Sequence, residues 1–302
     1  MTGARLARVL RRALAGWWND DVPRLGASLS YYTLFALAPI LIVAISIAGL
    51  AFGADAVRGE IVGQIRGLVG QEGARAVQAM LQGAAKPSNS IPATIAGVIT
   101  FFLGATGAFL ELQTALNAVW RVKPKEGQSF LRSLVQQRLI SFALVVGVGF
   151  LLLTSLLVSA GLSAAYKYMG EMFPDVAVVW EAANIIVSLL VITLLFAMIY
   201  KVLPDVKLDW RDVWVGAFAT AGLFTLGKFV IGLYLGTSSF ASSYGAAASV
   251  IVLLLWVYYT SQIVLLGAEF TKAYVEQFGP RPPPTELATK DPNPHLTPEQ
   301  GR

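Results

Sequence analysis

Apolar residues occur in this chain in long uninterrupted runs, and the few charged residues lie between those runs. Four of the runs contain 30, 24, 28 and 19 residues without a single charge. A helix of roughly 20 residues crosses the hydrocarbon core of a bilayer, so each run is long enough to span a membrane. The pattern predicts an all-α, polytopic membrane helix bundle, because soluble domains do not contain four such runs.

A fifth predicted span is interrupted by one charge, Lys228, and is followed by 40 uncharged residues from Phe229 to Ala268. A single helix of that length would extend roughly 60 Å, about twice the hydrocarbon thickness, so the chain must turn within it. The polar run at 237–243 is the expected turn. Six spans are therefore predicted within a membrane domain of residues 1–278, at about 30–53, 91–119, 139–165, 178–200, 213–236 and 246–271.

The positions of lysine and arginine predict the orientation of these spans. Of the 23 cations, 17 lie in the N-terminal segment, the loops after spans two and four, and the tail. Five lie in the opposite loops, and Lys228 lies within span five. Because cytoplasmic loops carry the excess of basic residues, both ends of the chain are predicted to be cytoplasmic. The net charge of +5 is first of all a topology signal.

Two segments outside the predicted spans differ in character. In residues 54–86 apolar residues recur at helical spacing, as at Val57, Ile61 and Ile65, which predicts two short amphipathic helices on the outer surface. Any envelope protein partner is expected to bind there. Residues 279–302 contain seven of the fourteen prolines and the only histidine, which predicts a disordered cytoplasmic tail.

Small residues recur at steps of three and four along one face of span two and one face of span five. Such faces let helix backbones approach closely in a membrane, where apolar side chains give no drive for association. We therefore predict helix-packing seams on these two faces. Their glycines are Gly97, Gly104, Gly107, Gly232 and Gly236.

Four polar residues within the spans form the candidate site. Glu111 and Lys228 share the small-residue faces of spans two and five, and an ionisable residue at such a depth is a functional candidate. Lys228 is expected closer in depth to Glu181 and Asn184 than to Glu111. Glu269, close to the inner end of span six, is expected at the membrane interface. Two alternatives to a functional role stay open. In the first, the Lys228 side chain extends to the outer interface, and in the second, Glu111 is a hydrogen-bonded packing residue.

The composition also excludes several classes of chemistry. The chain has no cysteine and a single histidine, so it offers neither a thiolate site nor the ligands and base of a zinc or histidine-dependent hydrolase. It has no phosphate-binding glycine loop and no nucleophile elbow. We predict no cofactor, no metal site, no enzymatic activity and no nucleic-acid partner.

An ordered series of motifs along residues 10–278 resembles the YihY/BrkB family of bacterial inner-membrane proteins. The motifs are Leu25–Pro39 (LGASLSYYTLFALAP), Leu116–Trp120 (LNAVW), Tyr200–Pro204 (YKVLP), Tyr244–Ala246 (YGA), Leu255–Tyr258 (LWVY) and Leu266–Glu269 (LGAE). The resemblance implies about six spans and links to serum resistance, virulence and transport. It also brings an old ribonuclease BN label, which is regarded as a misassignment and which the missing catalytic residues disfavour.

Two functions are consistent with these observations. The first is a transporter or exporter of an ion, an amphipathic solute or an envelope lipid, with a cavity lined by the small-residue faces of spans two and five. The second is a non-transporting envelope scaffold that docks a protein partner through residues 54–86. The lipid bilayer is the partner that both functions require.

Overall fold

The computed structural model describes residues 3–84, 107–125, 177–237, 247–286 and 288–291. Within these ranges the chain is mostly helical. The elements, in chain order, are α1 (Gly3–Asn19), α2 (Val22–Phe52), α3 (Ala54–Ala84), α4 (described over 107–120), β1 (Val122–Pro124), α5 (Ala177–Val202), α6 (Trp210–Thr237), α7 (Ala248–Phe278) and β2 (Ala288–Lys290).

Among the described residues, four helices are long and apolar enough to cross a bilayer. These stretches are Val22–Ser46, Ile185–Val202, Trp210–Ile231 and Ala248–Phe278. They correspond to predicted spans one, four, five and six, so the prediction of a membrane helix bundle is confirmed to that extent. The end of span two falls on α4, whereas its first part and all of span three lie outside the described residues. The total of six spans and their orientation stay predictions.

Helices α5, α6 and α7 pack closely because small residues lie at their contacts. A Cβ atom at Gly267 of α7 would collide with the hydroxyl groups of Thr220 in α6 and Tyr200 in α5. The Tyr200 hydroxyl donates a hydrogen bond of 2.7 Å to the carbonyl of Val264. Ala217, on the predicted small-residue face of span five, is fully buried. Small side chains thus bring the backbones together, as the membrane environment favours.

Helix α1 precedes the spans and was not predicted from the sequence. Val9 and Ala13, one turn apart, are buried with Ala273 of α7 in one apolar cluster. Trp17 adds a hydrogen bond of 3.1 Å from its Nε1 to Oε1 of Gln262 in α7. The N-terminal segment therefore packs against α7, the last of the described helices.

Helix α3 agrees with the predicted helical character of residues 54–86 and breaks at Gly70, where the two predicted helices meet. Gly70 has a φ of 74°, a left-handed conformation that glycine adopts without a steric penalty. Val57 and Val77 are buried in one cluster with Ile45 of α2 and Leu253 of α7. The apolar stripe of α3 therefore packs against the bundle.

The segment after α7 corrects the prediction of a disordered tail for residues 279–291. β2 pairs with β1 in an antiparallel ladder in which Val122 faces Lys290, and Pro284 forms an isolated bridge with Val206. The backbone N–H of Asp291 also donates to the carbonyl of Arg121 at 2.8 Å. The proline content predicted disorder because composition reflects only the segment itself. The observed order of this segment comes from hydrogen bonds to distant parts of the chain.

Candidate functional site

A cavity of about 1040 Å³ lies at the end of the bundle where α1, α4, α7 and the two strands come together. Its lining contains more cations than acids, and three of the cations are already paired, Arg121 and Lys272 with buried Asp20 and Arg281 with Glu276. The cations are Arg12, Arg121, Lys272, Arg281 and Lys290, and the acids are Glu269, Glu276 and Asp291.

Buried Asp20 joins three parts of the chain beside this cavity. Its Oδ2 accepts a hydrogen bond of 2.7 Å from Lys272 Nζ in α7, and its Oδ1 accepts one of 2.8 Å from Arg121 Nη2 after α4. Burial opposes ionisation of Asp20, but the hydrogen bonds and charges of Lys272 and Arg121 outweigh it and hold the pKa of Asp20 below its usual range. The hydrogen bond to Asp20 likewise raises the pKa of Arg121. The site therefore favours an ionised carboxylate at position 20.

Glu269 lies one helical turn before Lys272 and is only 2% exposed. Its Oε2 is 3.4 Å from Lys272 Nζ, and its Oε1 has no hydrogen-bond partner within the described parts of the chain. Gly16 of α1 lies directly against this carboxyl group, and a Cβ atom at position 16 would collide with it. A side chain at position 16 would require the Glu269 carboxyl group to move.

A second polar cluster fixes the loop after α5 to α4. Asn117 Nδ2 donates to Oδ2 of Asp205 at 2.8 Å, and Asn117 Oδ1 accepts from the backbone N–H of Asp205, also at 2.8 Å. Gln113 contributes a longer contact of 3.4 Å, and Thr285 N–H donates to the Asp205 carbonyl at 2.9 Å. Burial raises the pKa of Asp205, and the hydrogen bonds from Asn117 and Gln113 offset this only in part.

Glu111 and Lys228, the two candidate residues whose side chains are described, do not line this cavity. Half-buried Glu111 accepts a hydrogen bond from Ser28 Oγ in α2, as expected of a packing residue. Half-buried Lys228 has its Nζ 5.6 Å from the centre of the Phe229 ring. Glu181 and Asn184 lie in α5, but their side chains are outside the described part. The proposed cluster of these residues around Lys228 stays a prediction.

The predicted glycine seams are described only in part. Gly107 in α4 faces α2, where a Cβ atom would lie 3.6 Å from Cδ1 of Tyr32, an ordinary packing distance. Gly97 and Gly104 fall outside the described residues. Gly232 and Gly236 belong to the last turns of α6, whose side-chain environment is likewise outside the description. The seams therefore stay predictions apart from the contact at Gly107.

Sequence reasoning did not assemble the cluster of Asp20, Arg121, Glu269 and Lys272, and it assigned Glu269 to the interface. The missing element was α1, which covers Glu269. The spacing of Val9, Ala13 and Gly16 was the signal for this helix, since the three share one helical face. Among the described residues, no three His, Asp or Glu side chains come together as metal ligands would.

Comparison with known proteins agrees with this architecture. A family model described as "Virulence factor BrkB" matches residues 13–291. A UPF0761 membrane protein of Rhodospirillum centenum is 30% identical over 271 residues, which cover 89% of this chain and 57% of that protein. A UPF0761 membrane protein of Ralstonia nicotianae is 28% identical over 267 residues, with 87% and 58% covered.

The UPF0761 membrane protein YihY of Escherichia fergusonii is 33% identical over 186 residues, 61% of this chain and 60% of that protein. The chain thus spans less than two thirds of the length of each of these three relatives. No solved structure matches the chain. The match over residues 13–291 covers nearly all of the sequence. The chain therefore belongs to the virulence factor BrkB family of membrane proteins.

Proposed function

We propose that this chain is a multi-pass bacterial inner-membrane protein with six spans and cytoplasmic ends, which transports or exports an ion, an amphipathic solute or an envelope lipid. The cavity of about 1040 Å³ is its cytoplasmic opening, and it receives an anionic group. The observation that carries the proposal is that two cations in the lining of that cavity, Arg12 and Lys290, have no acidic partner among the described residues. The proposal contains no catalytic step.

The position of the cavity supports this orientation. It is lined by residues that follow α4 and α7 and by residues of α1, all from segments with the excess of basic residues. Arginine side chains bind phosphate and carboxylate groups through two parallel N–H donors, and three arginines line this cavity. A cavity of this size is at the upper end of small-molecule sites, which are about 300–1,000 Å³, and holds a lipid head group.

The polar residues within the spans extend the proposed path into the membrane. Glu111 and Lys228 belong to helices of the bundle and are half-buried. Together with Glu181 and Asn184 they supply charge complementarity along the path, because ionisable groups at this depth are retained where a polar ligand or another charge meets them.

A lipid-translocation assay in proteoliposomes tests the transport proposal. The probe is NBD-labelled phosphatidylglycerol, whose arrival in the outer leaflet is followed by dithionite quenching. We expect Arg12→Gln and Lys290→Gln to slow translocation about tenfold each, the effect of losing one charge-assisted hydrogen bond of roughly 1.5 kcal/mol. Glu111→Gln and Lys228→Ala test the path within the membrane in the same assay.

Arg24→Gln is the matched control, because Arg24 pairs with Asp21 at the surface, with both side chains more than half exposed. It is expected to leave the rate unchanged. The same assay with NBD-labelled phosphatidylcholine tests the preference for a net anionic head group. Wild-type rates equal to those of protein-free vesicles, for both probes, would count against lipid transport. Equal rates in wild type and cavity variants would count against the cavity.

The topology has its own test, since the chain has no cysteine and single introduced cysteines label without background. Cysteines near Lys123 and near Lys167 are expected to react with an impermeant maleimide from opposite sides of the membrane. Reaction of both from the same side would reject the six-span arrangement.

The scaffold function is the second candidate, and one observation favours it. Gly59 and Gly63 of α3 are exposed, and a Cβ atom at either position would meet no atom of the described residues within 4 Å. This side of α3 is open to a partner, although the apolar stripe packs internally. If the protein is a scaffold, shortening residues 54–86 should abolish its function and Lys228→Ala should leave that function intact. If the protein is a transporter, Lys228→Ala should impair its function.

A further inference from the structure

Helix α1 carries a second apolar stripe that no described part of the chain covers. Leu6, Leu10, Leu14 and Trp18 recur at intervals of four residues, so they share one side of the helix. Their exposed fractions are 40%, 47%, 59% and 71%. Exposed apolar residues in a continuous row mark an interaction surface, whereas isolated ones do not.

This stripe is distinct from the face by which α1 docks on the bundle. Val9 and Ala13 face Ala273 of α7 and are buried, and Trp17 bonds to Gln262. The adjacent tryptophan, Trp18, points away from that contact and is the most exposed of the large apolar side chains in α1. Helix α1 is therefore held by one apolar face while it presents another.

The remaining side of α1 is basic. Arg5, Arg8, Arg11 and Arg12 are exposed, and the sequence of α1 contains no acidic residue. At 100° per residue, Arg5, Arg8 and Arg12 fall opposite the centre of the exposed stripe, and Arg11 falls beside it. An apolar side with leucine and tryptophan and a polar side rich in arginine is the pattern of helices that lie in the membrane interface.

We propose that α1 lies in the plane of the membrane surface, where the stripe of Leu6, Leu10, Leu14 and Trp18 inserts among the acyl chains of an anionic leaflet and the arginines contact its head groups. Charge complementarity identifies the occupant, because arginines attract anionic lipid head groups. A second copy of the chain is the alternative occupant, and the spin labels described below test for it.

The end of α1 fits this arrangement. The chain leaves α1 at Asp20 and Asp21, and Asp21 has a φ of 55°, which breaks the helix before α2 begins at Val22. Helix α2 is one of the apolar helices long enough to span a membrane. The left-handed residue thus separates a helix in the interface from a helix that crosses the bilayer. The ion pairs of Asp20 hold α1 against α7 at this point.

Site-directed spin labelling of the full chain in lipid nanodiscs tests the proposal. Single cysteines replace Leu10, Leu14, Arg8 or Ala15, all exposed, and carry a nitroxide. Oxygen concentrates in the membrane, and nickel ethylenediaminediacetate stays in water. We expect the ratio of oxygen to nickel accessibility at positions 10 and 14 to exceed that at positions 8 and 15 by at least about threefold in phosphatidylcholine–phosphatidylglycerol discs.

Lipid charge provides the second measurement. The ratio of oxygen to nickel accessibility at position 10 should fall in discs of phosphatidylcholine alone. Combining Arg5→Gln, Arg8→Gln and Arg11→Gln should remove the difference in this ratio between the two lipid compositions. Equal aqueous accessibility at positions 8, 10, 14 and 15 would overturn the proposal. Dipolar broadening between labels at position 10 in singly labelled protein would overturn it too, because it would indicate that a second copy covers the stripe.

Discussion

The Nζ atom of Lys272 lies 2.7 Å from Oδ2 of Asp20, although 252 residues separate the two in sequence. The Asp20 carboxylate is almost wholly buried, and Arg121 reaches its other oxygen. One carboxylate therefore connects the end of α1, the end of α4 and the last helix. The cavity beside it depends on this connection, because all three of these segments contribute lining residues.

Replacement of Lys272 by methionine is expected to destabilise the protein strongly. The variant keeps the length of the side chain but leaves Asp20 with Arg121 alone and removes the cation beside Glu269. Loss of one partner of a buried ion pair costs about 3–5 kcal/mol when the charge is left without compensation, and because Arg121 still pairs with Asp20 we expect a loss at the lower end of this range. Thermal unfolding in detergent, followed by tryptophan fluorescence, measures the loss.

Arg24→Met is the control for that experiment. It breaks the ion pair of Arg24 with Asp21, whose side chains are 67% and 56% exposed. Exposed pairs contribute about 0–1 kcal/mol, so the unfolding temperature should change little. A similar shift in unfolding temperature for Lys272→Met and Arg24→Met would show that the buried cluster contributes no more to stability than an exposed ion pair does.

The sequence was sufficient for the elements that depend on local pattern. An uncharged run predicted the helix that contains Ile185–Val202, and an apolar run interrupted by Lys228 predicted the one that contains Trp210–Ile231, because length and apolar composition decide whether a helix can span a membrane. The break of α3 at Gly70 followed from helical periodicity on its two sides. The resemblance to the family was carried by motifs that α2, α4, α5 and α7 contain.

The site could not be predicted from the sequence, because its residues are brought together by tertiary contacts. Position in the last span predicted an interfacial Glu269, and only the docking of Gly16 against it makes it buried. Asp20 had no predicted partner, since Lys272 lies at the other end of the chain. β2 differs from the predicted disorder for the same reason, because its backbone partner is β1.

Acidification is expected to weaken the docking of α1 through Asp20. Its pKa is held below the ordinary value, so its stabilising contribution is complete above about pH 3.9 and is lost as the pH falls from there through the lowered pKa of the folded state. The measurement is the difference in unfolding temperature between wild type and Asp20→Asn. It should be constant from pH 7 to pH 5 and shrink below about pH 4. A difference that shrinks already between pH 7 and pH 5 would contradict the assignment.

The contact between Asn117 and Asp205 gives a prediction in which acidification restores stability instead of reducing it. Asn117→Ala removes both hydrogen bonds of 2.8 Å and leaves a half-buried carboxylate without them, which should cost about 1–3 kcal/mol near neutral pH. Burial already raises the pKa of Asp205, so protonation relieves the defect, and the variant should regain stability relative to wild type as the pH is lowered through that raised pKa.

Thr114→Ala in the same helix is the control for Asn117→Ala. Thr114 is exposed and its hydroxyl bonds only to the Leu110 carbonyl of its own helix at 2.9 Å. Unfolding temperatures of the two variants across pH 4–7 check the prediction. If Thr114→Ala showed the same recovery on acidification, Asp205 would not be its source.

Substitution of Gly16 by leucine is expected to release α1 from the bundle. The new side chain collides with the Glu269 carboxyl group, which Lys272 holds in place. Trypsin cleaves after the arginines of α1 when the helix opens, so the rate of cleavage at Arg11 and Arg12 reports its docking. We expect at least about a tenfold increase, which corresponds to a loss of roughly 1.4 kcal/mol in docking free energy.

The collision with Glu269 can be separated from a general effect of leucine in a helix. Gly222→Leu is the matched control, because Gly222 of α6 is exposed and a Cβ atom there meets no atom within 4 Å in the part of the chain that the structure describes. It should leave cleavage in α1 unchanged. Glu269→Ala removes the carboxyl group that the introduced leucine side chain would meet. If the collision is the cause, the increase produced by Gly16→Leu must be smaller in the Glu269→Ala background than in wild type, since residues in contact give non-additive effects. Additive effects of the two substitutions would place the cause elsewhere, and the close approach of α1 to Glu269 would then not control its docking.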